Sequence, residues 1–68
     1  MSAGSNLRKI RDSKKLSQQD VADYLGVERE TYMNWEAGIS EVKGSYFPKL
    51  ADFFDVEISD FFQERDIQ

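Results

Sequence analysis

Residues 16–38 read LSQQDVADYLGVERETYMNWEAG, and the fold turns on them. Ser17 is followed three residues later by Asp20, a hydroxyl cap with a short acid in the first turn, and Val21, Ala22 and Leu25 supply one apolar face. That spacing predicts a helix over residues 18–25. Gly26 sits where a helix end wants the left-handed conformation that glycine adopts without steric cost. Val27 resumes the apolar series, Glu28 suits a helix N-terminus, and Tyr32 and Trp35 fall three apart, which predicts a helix over residues 28–36 closed by Gly38. Helices this short do not stand alone in water, so each must pack against the other and against neighbours. Ala22 falls at their crossing, where a small side chain lets the backbones approach. Two short helices joined at one glycine form the pattern of a helix-turn-helix unit.

Upstream, Leu7 and Ile10 among Arg8, Lys9, Arg11 and Lys14 predict a short amphipathic helix over residues 5–14, with Ser5 or Asn6 as its N-cap. Downstream, GISEVKGS has no helical period and reads as a loop. Phe47, Leu50, Ala51 and Phe54 have helical spacing, and Pro48 is tolerable only in a first turn, which places a fourth helix over residues 46–55. Val56, Ile58, Phe61 and Phe62 predict a short fifth helix over residues 58–63, followed by the polar tail QERDIQ. No segment reads as a strand. The expectation is an all-α, compact five-helix bundle, one domain over residues 1–68 with its core in residues 6–62.

Composition bounds what such a bundle does. Sixty-eight residues lie near the lower limit for a self-sufficient apolar core. With no Cys and no His, disulfides, thiolate or imidazole metal sites and Ser-His or Cys-His catalytic pairs are excluded. There is no Gly-rich phosphate loop and little room for a pocket, so no enzyme, no metal and no cofactor is expected. No apolar run is long enough to span a bilayer, and the N-terminus lacks a signal-peptide core, so a cytoplasmic protein is expected. The apolar face of Leu7 and Ile10 is too small for a membrane-surface helix. The formal net charge of -4 conceals a gradient: residues 1–16 carry five cations against Asp12 alone, whereas residues 45–68 carry Lys49 and Arg65 against six acids.

The order and spacing of Ser17-Gln18, Ala22, Leu25-Gly26-Val27, Trp35-Glu36 and Gly38 resemble the lambda-repressor and Cro-like helix-turn-helix family, over about residues 7–62. That resemblance implies a five-helix bundle whose third helix enters the major groove of double-stranded DNA. It implies base reading by Arg29, Glu30 and Asn34, residue types that suit guanine, cytosine and adenine edges respectively. Ser17 and Gln18 at the second helix start, with Thr31 and Lys43, are the implied phosphate and positioning contacts. Arg11 and Glu36 are implied to form an ion pair within the scaffold, and Trp35 and Tyr32 fit the core better than a stacking platform for single strands.

A homodimer on an inverted repeat is also implied, with the two third helices about 34 Å apart. Phe53, Phe62 and Ile67 are its candidate contacts, because family members commonly pair around the fifth helix and Phe53 falls outside the core period. The sequence departs from the family at three points. Its ISEVKG loop has one acid and one base, Lys15 stands where Gly is common, and Glu28 replaces the usual Ser or Thr. A small bacterial or phage transcriptional regulator is the leading expectation. The alternative, favoured by the negative charge and by Glu28 and Glu30, is a protein-binding adaptor on the same fold with little DNA affinity.

Overall fold

A computed structural model describes residues 3–63. Four α-helices follow one another: α1 (Ala3–Ser13), α2 (Gln18–Leu25), α3 (Arg29–Ala37) and α4 (Phe47–Phe54). Two 3₁₀ segments, Gly44–Tyr46 and Ile58–Phe62, flank α4, and the described residues contain no strand. α3 packs against both α1 and α2, the Ile58–Phe62 segment covers α1, and α4 closes the molecule against α2 and both 3₁₀ segments.

The local signals work as their chemistry requires. Ser17 Oγ accepts from the Asp20 N–H at 3.0 Å and Asp20 Oδ2 accepts from the Ser17 N–H at 3.0 Å, a reciprocal capping box. Gly26 (φ +75°) ends α2 with its N–H on the Ala22 carbonyl at 2.9 Å, and Val27 donates to the same carbonyl at 3.0 Å. Gly38 (φ +79°) ends α3 in the same way. Between α1 and α2, Lys15 takes the left-handed conformation (φ 60°) while Leu16 donates back to the Arg11 carbonyl at 3.3 Å. A side chain is held there at a cost of about 1 to 2 kcal/mol relative to glycine.

Leu7, Val21, Ala22, Leu25, Tyr32, Trp35, Leu50, Ala51, Phe54 and Phe61 form one core, with contributions from every α-helix and from the second 3₁₀ segment. Tyr46 packs its ring on Trp35 at 5.2 Å, and Phe53 stacks on Tyr24 at 4.2 Å with the planes 17° apart.

Two expectations need correction. The fifth helix is a five-residue 3₁₀ segment, so the bundle has four α-helices where five were expected. The segment is held by i→i+3 pairing, the Asp60 N–H on the Glu57 carbonyl at 3.0 Å with the Glu57 N–H on Asp60 Oδ2 at 3.1 Å, a geometry suited to short pieces. The second correction concerns Asn6. It is not the N-cap of α1, which begins at Ala3; it is buried within the helix, and its Nδ2 donates to the carbonyls of Phe61 at 2.7 Å and Gln63 at 3.0 Å. Asn6 thereby fastens the segment to α1. Within the segment only Phe61 is buried, while Ile58 and Phe62 are exposed. Tight packing also governs the start of α1: a Cβ on Gly4 would collide with the Trp35 carbonyl oxygen and press on that of Glu36, so glycine sets how closely α1 approaches α3.

Candidate nucleic-acid interface

The outward face of α3 follows from its buried one. Tyr32 and Trp35 turn inward, so helical spacing sends Glu30, Met33, Asn34 and Ala37 to the far side. Arg29 and Glu30 are exposed, Thr31 and Asn34 half-buried. Among the described residues, no side-chain hydrogen bond or ion pair engages Arg29, Glu30 or Asn34. The α3 N-terminus is bare of side-chain capping, because Glu28 occupies the cap position and makes no cap hydrogen bond.

Behind this face lies the most heavily bonded group in the molecule. Arg11 grips Glu36 with two parallel contacts, Nε to Oε2 at 2.6 Å and Nη2 to Oε1 at 3.1 Å, and its Nη1 donates to the Leu16 carbonyl at 2.8 Å. The two side chains are 11% and 4% exposed, so this is a buried bidentate pair and not a surface one. Gln18 Nε2 adds a third donor on Glu36 Oε1 at 3.0 Å. One carboxylate thus joins α1, the first residue of α2 and the end of α3. Burial pushes the Glu36 carboxyl upward, but the hydrogen bonds from Arg11 and Gln18 and the Arg11 charge outweigh burial and hold it below the usual value. The same contact raises Arg11 against its own desolvation. The Tyr32 hydroxyl lies close by, fully buried and outside hydrogen-bond geometry; burial first, and the Glu36 charge second, push its pKa well above the ordinary value.

Gln18, Met33, Ala37 and Arg8 surround a shallow depression with the Arg11–Glu36 pair at its base. The structure therefore brings the start of α2 and the middle of α3 onto one surface. Arg8 belongs to it too, exposed and loosely paired to Asp12 at 3.8 Å. Sequence reasoning counted Arg8 only as part of a basic helix; its place one turn before Arg11 was the available signal. Ser17 is exposed with its hydroxyl oxygen accepting from Asp20, which leaves the O–H hydrogen free to donate. Lys43 is exposed in the loop after α3. Of the candidate dimer residues, Phe62 is 58% exposed and leans on Phe47 at 5.0 Å, Phe53 is half-buried under Tyr24, and Ile67 lies outside the described residues.

Comparison with known proteins bears on the fold and the family. A family model described as Helix-turn-helix matches residues 7–61. The cryptic phage CTXphi transcriptional repressor RstR of Vibrio cholerae is 32% identical over 62 residues, covering 91% of this chain and 56% of that protein. An uncharacterized HTH-type transcriptional regulator derived from the SPbeta prophage of Bacillus subtilis, YonR, is 40% identical over 53 residues, 78% of this chain and 49% of its own length. The chain thus spans about half the length of the curated relatives it matches. Among solved structures, the restriction-modification controller protein C.AhdI from Aeromonas hydrophila superposes with a TM-score of 0.81 at 33% identity, covering 88% of this chain and 91% of that one. A transcriptional regulator from Listeria innocua reaches 0.82 at 18% identity, covering 98% of this chain and 64% of that one, a likeness of fold alone. With a family model spanning most of the sequence and a related structure matched over nearly its whole length, the chain belongs to the helix-turn-helix family.

Proposed function

We propose that this chain is a sequence-specific double-stranded DNA-binding unit of a transcriptional regulator, acting in the cytoplasm of a bacterium as a homodimer on an inverted repeat. The observation that carries the reading is the outward face of α3, where Arg29, Glu30 and Asn34 present polar groups that no neighbour in the fold consumes, on a helix that a left-handed glycine joins tightly to α2 and another closes. In this reading those three side chains meet base edges in the major groove. Ser17, Thr31 and Lys43, with the free backbone N–H groups at the start of α2, hold phosphates and set the register, and Gln18 stands beside them. Phe53, Phe62 and Ile67 contribute to the contact between subunits. The whole of residues 1–68 acts as one domain.

Selection from a random duplex library at low salt, followed by titration of the best duplex with salt, tests the reading. The expected result is an enriched inverted repeat whose affinity falls steeply with salt as phosphate counterions are released. Arg29→Ala should weaken it and relax one base position. A folded protein that selects nothing at low salt would overturn the reading in favour of a protein-binding adaptor, to which the net charge of -4 lends weight.

A further inference from the structure

Tyr32 is fully buried on α3, and among the described residues no hydrogen bond reaches its hydroxyl. Residues four apart on a helix share a face, so the hydroxyl stands beside the carboxylate of Glu36, one turn further along α3. A buried hydroxyl without a partner is costly, and a phenylalanine would fill the same space without it. Packing alone therefore gives the oxygen no role. The carboxylate beside it is engaged from the other side: Arg11 donates to both its oxygens, and Gln18 Nε2 donates to Oε1 at 3.0 Å. These donors are not held alike. Arg11 is fixed by the Leu16 carbonyl as well, whereas the Gln18 amide has Glu36 as its partner and is half-buried at the first residue of α2, where the family resemblance places a DNA phosphate.

A phosphate at the start of α2 competes with Glu36 for that amide. One nitrogen bridging the two anions would hold them about 5 Å apart, where like charges repel. Turning inward carries the carboxylate away from the DNA backbone, and inward is where the Tyr32 hydroxyl lies. The geometry points to Tyr32 as a reserve donor: when a phosphate draws the Gln18 amide away, Glu36 accepts from the Tyr32 hydroxyl in its place. The phosphate contact is then made without stripping a hydrogen bond from the buried ion pair. Arg11 stays on the carboxylate throughout, so the joint between α1 and α3 holds. The assignment rests on the DNA-binding reading and goes beyond it, since Tyr32, deep in the core, becomes a positioning residue for a contact made at the surface.

The first arm of the experiment is a double-mutant cycle in the free protein. Gln18→Ala keeps both Arg11–Glu36 contacts, so the fold survives it, and Tyr32→Phe keeps the ring in the core. In the wild-type background Tyr32→Phe should leave the melting temperature within about 2 °C, because the hydroxyl is unpartnered there. In the Gln18→Ala background, where Glu36 has turned to the hydroxyl, it should lower the melting temperature by roughly 4 to 8 °C. The hydroxyl proton of Tyr32 should move to lower field in Gln18→Ala. Equal losses in the two backgrounds overturn the assignment, because the hydroxyl would then be a fixed part of the core. The second arm uses the operator that the wild-type chain selects. Tyr32→Phe should weaken binding about threefold to tenfold for every sequence alike, with base preferences unchanged. Methylphosphonate substituted at each backbone position in turn should reveal one phosphate per half-site whose neutralisation costs less affinity in Tyr32→Phe than in the wild type. An unchanged affinity in Tyr32→Phe, or identical methylphosphonate losses in the two proteins, overturns the release of Gln18 and leaves the DNA-binding reading standing. A folded wild-type chain that selects no operator overturns the reading and the assignment together, and the missing operator tells that failure from the others.

Discussion

The Glu36 carboxylate accepts from Arg11 twice and from Gln18 once, inside a site from which water is nearly excluded. Removing it leaves the buried Arg11 guanidinium with only the exposed Asp12, 3.4 Å from Nη1, as counter-charge, and breaking a buried pair typically costs about 3 to 5 kcal/mol. Glu36→Ala is therefore expected to lose most of the stability of so small a domain, and urea unfolding followed by circular dichroism measures it; an unchanged midpoint would contradict the account. The pair also carries a pH signature. The folded carboxyl titrates below its ordinary value of 4.5, so its contribution is complete above that pH and is lost as acid carries the folded group through its lowered pKa. Stability should accordingly fall below about pH 4.5, and melting temperatures across pH 3 to 7 report it. Lys15 is the opposite case. Its left-handed backbone is strained for any residue with a Cβ, and Lys15→Gly should stabilise by about 1 kcal/mol, a rise of roughly 4 to 8 °C in melting temperature. Both residues were legible in the sequence, Glu36 from its place after Trp35 and Lys15 from the glycine it replaces. Asn6 was not, because a polar residue early in a helix pattern looks like a cap, and its true partners lie more than fifty residues away.

At the scale of elements, the two short helices of residues 16–38 were readable because their signals are local: a capping box, an apolar stripe and a left-handed glycine each act within one turn. The segment after α4 was not. Its apolar residues suggested a helix, but five residues are held by 3₁₀ pairing of the Asp60 N–H with the Glu57 carbonyl at 3.0 Å and fastened to α1 by Asn6 across the fold. The start of α3 offers a direct test of local chemistry. Glu28 sits at its N-cap without capping, where Ser or Thr would accept from the first turn. Glu28→Ser should raise stability by about 0.5 to 1 kcal/mol, read from the denaturation midpoint, and by removing a negative charge beside the groove it should also tighten DNA binding.

For the whole molecule, charge placement matters more than its sum. Arg8, Arg29 and Lys43 lie on or beside the proposed surface, whereas residues 45–68 hold six acids. If Arg8 and Lys43 each neutralise one phosphate in each half of a dimer while Arg29 meets a base, log affinity should fall against log salt with a slope of about -4. Lys43→Ala should reduce that slope by about 2, one phosphate per subunit. A slope near zero would mean that these cations do not face DNA. The distribution of charge along the chain was visible in the sequence. Which cations share a surface was not, since Arg8 and Met33 come together only once α1 has docked on α3.

Trp35 is the only tryptophan in the chain. It is 5% exposed, with Tyr32 at 6.0 Å and Tyr46 at 5.2 Å, and it stands between Asn34 on the outer face and Glu36 in the ion pair. An indole so enclosed emits at shorter wavelength than one in water, and nearby tyrosines pass excitation energy to it. The molecule therefore contains its own optical probe at the joint between α1 and α3. Its emission should shift to the red when the domain unfolds, and loosening of the ion pair should register in the same signal without any label.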